Sequence, residues 1–225
     1  MRPVVVAAAG MAAVVSAAFL GCAGDDGGAR DPAESVVAVE ATGCRLRPTH
    51  AVGTVVADEL VLTVAHAVAG EDDIDVQTGD GRRLPAQVAA IDTVLDAALL
   101  RVDGLDAVPL PRRAAEVAEP VSLLVIESGE VRAHAAEVRR RVRIRTSDIY
   151  RDGEHVRPGL EVSGAVRAGD SGGGVVGEDG RLVGMVWARS REVDDRAWAT
   201  RIEVVDPLLA AVAAGTLPRP ARCSR

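Results

Sequence analysis

The sequence has 225 residues, of which 48% are hydrophobic, and a formal net charge of −7 at pH 7. This length and apolar content allow one sizeable core or two small fused ones, and they exclude a disordered chain except at the ends. The acidic net charge argues against nucleic acid as the main partner.

Residues 1–21 are predicted to be an export signal. Arg2 precedes an apolar run from Pro3 to Leu20, which is typical of a secretory leader. Phe19-Leu20-Gly21-Cys22 resembles a bacterial lipobox, in which Cys22 would become the first mature residue and carry a lipid. Ordinary signal cleavage and an uncleaved single-span anchor remain alternatives, because an apolar run of about 18 residues is near the lower limit for crossing a bilayer. All three interpretations predict an exported protein, either lipid-anchored at the outer face of the cell membrane or secreted.

A flexible linker is predicted over residues 22–35, which are rich in Gly, Asp and Ala. A folded domain is predicted over residues 36–225. Cys44 and Cys223 lie near its two ends, and in an oxidising compartment we expect them to form a disulfide. Two free thiols are the alternative.

From Val36 onward, short apolar runs alternate with turns rich in Gly, Asp and Pro, which predicts an antiparallel β protein. The polar stretch Pro109–Glu119 divides the runs into two halves, about 36–110 and 118–205. Asp206, Pro207 and Gly215 predict a helix over 206–215. The predicted strands lie near residues 53–56, 60–64, 74–76, 84–88, 95–102, 121–126, 131–144, 160–162, 174–176 and 182–187.

Three segments carry residue types that together suit nucleophilic catalysis. His66 ends Thr63-Val64-Ala65-His66, Asp96 lies inside the predicted strand 95–102, and Ser171 lies in Gly169-Asp170-Ser171-Gly172-Gly173. A serine hydroxyl needs a base to take its proton and an acid to orient that base. The N–H groups of Gly169 and Ser171 could converge on a developing oxyanion, because glycine permits close approach of a carbonyl.

Each of these residues taken alone has a structural explanation, as a turn serine, a histidine after a strand or a cap at the start of a strand. In the order His66, Asp96, Ser171 they resemble the chymotrypsin/trypsin-like serine peptidases. Over about residues 36–223 the chain is most similar to the bacterial envelope members, including membrane-tethered ones. The resemblance implies an all-β fold of two antiparallel six-stranded barrels with a short C-terminal helix, and a triad in the cleft between the barrels.

The family pattern also implies a specificity pocket with Ala165 at its base. Because Ala165 stands where an acidic residue would select Arg or Lys, we expect a small or medium apolar residue before the scissile bond. Trp198 could instead be ordinary core. The remaining implied pocket residues are Val166, Trp187, Ala188, Arg189 and Ala197.

Two departures from the family pattern leave the catalytic groups intact. Gly174 replaces the proline that usually follows the serine motif, and Val64 replaces a small or polar residue. No Ile-Val-Gly-Gly sequence precedes the domain, so Asp170 is expected to pair with an arginine or with backbone donors rather than with a new chain terminus.

Metal and cofactor chemistry is not expected. The sequence contains no His-Glu-x-x-His motif, its cysteines are widely spaced, and Gly172–Gly174 lacks the Lys and Ser/Thr of a phosphate-binding loop. Two functions remain: a serine endopeptidase that cleaves cell-envelope proteins, or a catalytically silent protease-fold lipoprotein that binds a partner protein.

An arginine cluster on one predicted strand is a further candidate surface. Alternation with Val142 and Ile144 predicts a solvated strand face, and binding of anionic envelope polymers is the alternative. The cluster comprises Arg139, Arg140, Arg141, Arg143 and Arg145.

Overall fold

The computed structural model describes residues 31–215 and 222–224, and it contains two curled antiparallel sheets. The first sheet comprises β1 (Val36–Thr42), β2 (Thr49–Ala57), β3 (Leu60–Thr63), β4 (Asp73–Gln77), β5 (Arg83–Pro85), β6 (Gln87–Asp92) and β7 (Ala97–Arg101). The second comprises β8 (Pro120–Glu127), β9 (Glu130–Thr146), β10 (His155–Val162), β11 (Gly174–Gly177), β12 (Leu182–Arg189) and β13 (Ala197–Arg201). The helices are α1 (Ala65–Val68) and α2 (Asp206–Ala213), and 3-10 turns cover Pro32–Ser35 and Ile202–Val204.

The first sheet has seven strand segments in the order β5-β4-β1-β2-β3-β7-β6, where six strands were predicted. Its two edges, β5 and β6, are consecutive in the chain and are separated only by Ala86. The N–H of Ala86 donates to the carbonyl of Ile74 (2.8 Å), and Pro85 has no N–H to offer a ladder. Residues 83–92 are therefore one continuous segment that bends at Ala86 and pairs at both edges of the sheet. This segment is divided into β5 and β6, which gives seven strands instead of six.

The second sheet is a closed six-stranded barrel in the order β10-β13-β12-β11-β8-β9. Full closure leaves no exposed edge. The predicted all-β double-barrel fold with a short C-terminal helix is thereby confirmed.

The connection over residues 102–119 is hydrogen-bonded to both barrels. Leu110 N–H donates to the carbonyl of Val55 in β2 (3.0 Å), and the Pro111 carbonyl accepts from Leu182 N–H in β12 (2.8 Å). The Arg112 guanidinium then reaches back to the carbonyl of Val56 (2.8 Å). The two barrels are thus joined by backbone pairing as well as by the chain.

Two strands of the first barrel are buried on both faces and lead into polar residues. All four residues of β3 are buried, and so are the first four of β7. His66 follows β3 by three residues, and Asp96 immediately precedes β7. A rigid core therefore supports both side chains.

The arginine cluster lies on β9, and most of it is paired with carboxylates. Arg139 lies 3.0 Å from Asp195 and Arg145 lies 3.2 Å from Glu154. Arg140 pairs with Glu161, and Arg141 pairs with Glu203. These pairs neutralise much of the face and support the interpretation of a solvated strand surface.

The predicted export signal and Cys22 lie outside the described residues. Among residues 31–215 and 222–224, no helix has the length and apolar content needed to cross a membrane.

Candidate active site

His66 and Asp96 form a pair of hydrogen bonds at the rim of the first barrel. Asp96 Oδ2 lies 2.8 Å from His66 Nδ1, and Asp96 Oδ1 accepts from the backbone N–H of His66 (2.9 Å). The carboxylate side chain is 6% exposed, whereas the imidazole is 34% exposed. The ring is therefore fixed at its buried nitrogen and open to solvent at its other side.

Asp96 lies in a turn and not within a strand, contrary to the prediction of a strand over 95–102. Its φ is +57°, a left-handed conformation that aspartate tolerates better than most residues. The strand β7 begins one residue later. This turn, Thr93–Asp96, directs the carboxylate toward α1.

The second barrel holds the Thr93–Asp96 turn from outside. Ile149 N–H donates to the carbonyl of Thr93 (3.1 Å), Arg157 Nε to that of Val94 (2.7 Å), and Thr200 Oγ1 to that of Leu95 (3.2 Å). Three consecutive carbonyls of a first-barrel turn are thus bound by the other barrel.

Ser171 is placed beside the end of β3 by contacts of its neighbours. The Ser171 carbonyl accepts from Val52 N–H (2.8 Å), and the Val52 carbonyl accepts from Thr63 Oγ1 (2.8 Å). Gly172 has a φ of +92°, and a Cβ there would lie 1.9 Å from the Val52 carbonyl oxygen. Only glycine fits this approach, which brings the serine turn against Val52 of β2 and Thr63 at the end of β3, three residues before His66.

Two backbone donors of the serine turn are unoccupied. Among the described residues, the N–H groups of Gly169 and Ser171 donate to no acceptor. The turn is held by Asp170, which is buried and accepts the N–H of Arg167 at Oδ2 (2.7 Å). Asp170 is therefore paired with a backbone donor, which is one of the two pairings expected from the sequence.

The hydroxyl of Ser171 forms no hydrogen bond with any described residue, His66 included. Ser171 is half-buried. Hydrogen bonds between a nucleophile and its base are often long in unliganded sites and tighten when substrate binds. The site thus brings Asp96 and His66 together and leaves the Ser171 hydroxyl free of hydrogen bonds to the described residues.

The residues predicted for the specificity pocket flank the serine turn in two groups. Ala165 is exposed and Val166 is buried, in the segment between β10 and Ser171. Trp187, Ala188 and Arg189 lie on β12, and Ala197 and Trp198 lie opposite them on β13. The register of this pair shifts between Val186 and Ala188, which makes Trp187 a bulged residue whose side chain is re-aimed.

Arg157 stacks on the bulged tryptophan. Its guanidinium carbon lies 4.2 Å from the centroid of the Trp187 ring, and its Nη1 lies 3.7 Å from Asp96 Oδ2. Burial lowers the pKa of Arg157, and the carboxylates of Asp96, Asp92 and Asp148 oppose that shift. An arginine remains charged even so.

The disulfide predicted between Cys44 and Cys223 is present. It brings the tail behind His66, where Ser224 Oγ donates to the His66 carbonyl (2.6 Å). Arg45 in turn donates to Ser224 Oγ (2.8 Å). The crosslink therefore supports the backbone of α1.

Sequence patterns did not identify Arg157, the role of Thr63 or the helix α1. A helix of four residues has no periodicity to detect. Arg157 and Glu161 left no signal either, because they alternate with the apolar Leu160 and Val162 as residues of an exposed face do, whereas the structure buries both. A buried charge in a strand generally has a partner.

A protein-family model described as a trypsin-like peptidase domain matches residues 51–185, more than half of the chain. The serine protease Rv3671c of Mycobacterium tuberculosis is 32% identical over 147 residues, covering 64% of this chain and 36% of the relative. A DegP-like protein of Halomonas elongata, described as a probable periplasmic serine endoprotease, is 28% identical over 162 residues, covering 65% and 31%. The chain thus spans about a third of these relatives.

Solved structures agree with this match. The crystal structure of the Rv3671c protease in its active form has a TM-score of 0.80 and 26% identity, covering 86% of this chain and 87% of that one. The inactive form has a TM-score of 0.70 and 28% identity, covering 80% and 90%. The TM-score is thus higher for the active form of that protease than for its inactive form.

Proposed function

This chain belongs to the trypsin-like peptidase family, and on that premise we propose that it is a serine endopeptidase with His66, Asp96 and Ser171 as its catalytic residues. The observation that carries the proposal is the pair of hydrogen bonds that Asp96 accepts from His66, beside a glycine-rich serine turn. A purely structural aspartate would not need to bond the ring of a half-exposed histidine.

In the proposed reaction, Ser171 Oγ attacks the carbonyl carbon of the scissile peptide bond while His66 Nε2 takes the hydroxyl proton. Asp96 keeps the proton of His66 on Nδ1 and stabilises the imidazolium. His66 then gives its proton to the leaving amine, which departs and leaves an acyl-enzyme. Water, deprotonated by His66, hydrolyses that ester and restores Ser171.

The oxyanion of each tetrahedral intermediate would be bound by the N–H groups of Gly169 and Ser171. Both donors lack an acceptor among the described residues, which supports this role. A preorganised donor stabilises the charge that develops in the transition state without reorganising at the moment of reaction.

We further propose that the substrates are proteins of the cell envelope and that Cys22 anchors the enzyme by a lipid. The export signal predicted over residues 1–21 and the disulfide of the folded domain support export, because disulfides persist in oxidising compartments. The pocket at Ala165 would accept a small or medium apolar side chain before the scissile bond. A peptide library would test this preference, and cleavage after Arg or Lys would contradict it.

Labelling with a fluorophosphonate probe tests the proposed mechanism. An activated serine displaces fluoride from the probe and becomes phosphonylated at Oγ. We expect labelling of the exported full-length protein and none of Ser171→Ala or His66→Ala. The matched controls are Ser122→Ala on β8 and His155→Ala at the start of β10, and both should label normally. Absence of labelling in a folded, disulfide-bonded wild type would instead favour a silent protein that binds a partner.

A further inference from the structure

Arg157, on β10 of the second barrel, contacts Asp96, the Thr93–Asp96 turn and Trp187. Its side chain is only 3% exposed, and it is the one strongly buried arginine among the described residues. The guanidinium group contacts three groups: the Val94 carbonyl, the Trp187 ring and the Asp96 carboxylate. An arginine so deeply buried needs compensation for its lost hydration.

The three contacts fix the guanidinium in one orientation. Nε is occupied by the Val94 carbonyl, and the planar face lies against Trp187, so Nη1 is directed at Asp96 Oδ2. Nη1 is buried and has no hydrogen-bond partner among the described residues. Its charge is thus available to the carboxylate without replacing the bond from His66.

Asp96 needs such a neighbour for a physical reason. Its carboxylate is almost fully buried at the end of an apolar strand, and both oxygens already accept from His66. A buried anion is favoured by an opposite charge within about 4–6 Å. The carboxylates of Asp92 and Asp148, like that of Asp96, oppose the lowering of the Arg157 pKa by burial, so anions stabilise the positive charge of this arginine.

We propose that Arg157 is a positioning residue that acts through Asp96: from the second barrel it holds the Thr93–Asp96 turn and offsets the charge of the carboxylate that orients His66. Arg157 need not touch substrate. This inference rests on the proposed function for its catalytic consequence, but not for its effect on the bond between Asp96 and His66.

The test compares Arg157→Gln, which removes the charge, with Arg157→Lys, which keeps it. With the glutamine we expect kcat to fall about 100-fold, as for a misplacement of about 1 Å in a catalytic group. KM should change less than kcat, because Arg157 is proposed to act on Asp96 and not to touch substrate. The lysine should retain kcat within about 10-fold of wild type. Arg113→Gln, which removes the partly buried ion pairs with Glu119 and Asp179, is the matched control and should retain wild-type kcat.

A spectroscopic readout separates positioning from general loss of structure. The proton on His66 Nδ1 should give a low-field NMR resonance, because it is hydrogen-bonded to the Asp96 carboxylate. In Arg157→Gln this resonance should shift or disappear, and in Arg157→Lys it should remain. Thr200→Val removes another bond to the same turn without removing charge, and its effect should be smaller. Equal losses in Thr200→Val and Arg157→Gln would overturn the role of the charge.

The remaining outcomes are also decisive. A folded Arg157→Gln with wild-type kcat and resonance would overturn the inference while leaving the proposed function intact. An inactive wild type whose resonance disappears in Arg157→Gln would refute the proposed function and support the inference. If the glutamine variant does not fold, the Arg157→Lys variant tests the inference. A folded lysine variant that keeps the resonance but loses more than about 100-fold in kcat would contradict the positioning role.

Discussion

Val52 in the first barrel donates its backbone N–H to the carbonyl of Ser171 in the second, across 2.8 Å. The proposed nucleophile is therefore tied to the barrel that carries its proposed base. Gly172 makes this approach possible, since a Cβ there would collide with the Val52 carbonyl. The assembly of the site consequently depends on a residue without a side chain.

Gly172→Ala should destabilise the protein and abolish probe labelling. Alanine must adopt a φ of +92° and also displace the Val52 carbonyl from 1.9 Å. The control is Gly81→Ala, where φ is +86° but no atom lies within 4 Å, so that only backbone strain of about 1–2 kcal/mol applies. Urea denaturation measures the free energy of unfolding of both variants. An equal loss of stability in the two would rule out the steric explanation.

Asp96→Asn should lower kcat about 10⁴-fold while the protein remains folded, because an amide no longer enforces the Nδ1-protonated tautomer of His66. Steady-state kinetics on a cleaved peptide measure the effect. Asp106→Asn is an exposed control and should have wild-type kcat. Wild-type activity in Asp96→Asn would exclude Asp96 from the mechanism.

Replacing Cys44 and Cys223 by serine should lower the free energy of unfolding by about 2–5 kcal/mol, since the crosslink closes a very long loop. The two residues are 179 positions apart. Denaturation of the double variant and of the reduced wild type should give the same midpoint. A reduced wild type as stable as the oxidised one would contradict this expectation.

Acidification should weaken the contact between Arg113 and Asp179. Hydrogen bonds from Arg113 lower the pKa of Asp179 from its ordinary value, so the unfolded state binds the proton more readily. The resulting stabilisation is present above the unfolded pKa of about 3.9 and is lost as pH falls through the folded pKa. Below about pH 5, the free energy of unfolding should therefore depend less on pH in Asp179→Asn than in the exposed control Asp103→Asn, as measured by denaturation at several pH values.

Cys22→Ser should move the full-length protein out of the detergent phase in Triton X-114 partitioning. Acyl chains add about 0.8 kcal/mol of membrane affinity per buried CH₂, and serine cannot carry them. Cys44→Ser keeps the proposed anchor and should partition like wild type. Retention of Cys22→Ser in the detergent phase would favour an uncleaved span.

Strand alternation predicted an antiparallel β protein, and the resemblance to the trypsin-like peptidases implied its two barrels. The chemistry of an oxidising compartment predicted the disulfide. The sequence pattern misplaced Asp96 in a strand. The apolar run that follows Asp96 hides a left-handed turn, and that turn is stabilised by Ile149, Arg157 and Thr200 of the other barrel. Contacts so distant in the chain leave no pattern around Asp96 itself.

The connection between the barrels limits how the cleft can respond to a substrate. Residues 110–113 bond alternately to β2 and β12, so rotating one barrel against the other would break several backbone hydrogen bonds at once. When two domains close about a hinge, the change in backbone dihedral angles usually falls on a few unconstrained linker residues. In this protein the linker residues 110–113 are hydrogen-bonded to both sheets. If the protein acts as the proposed endopeptidase, loops and side chains at the rim, rather than a rotation of the barrels, would therefore have to admit the polypeptide.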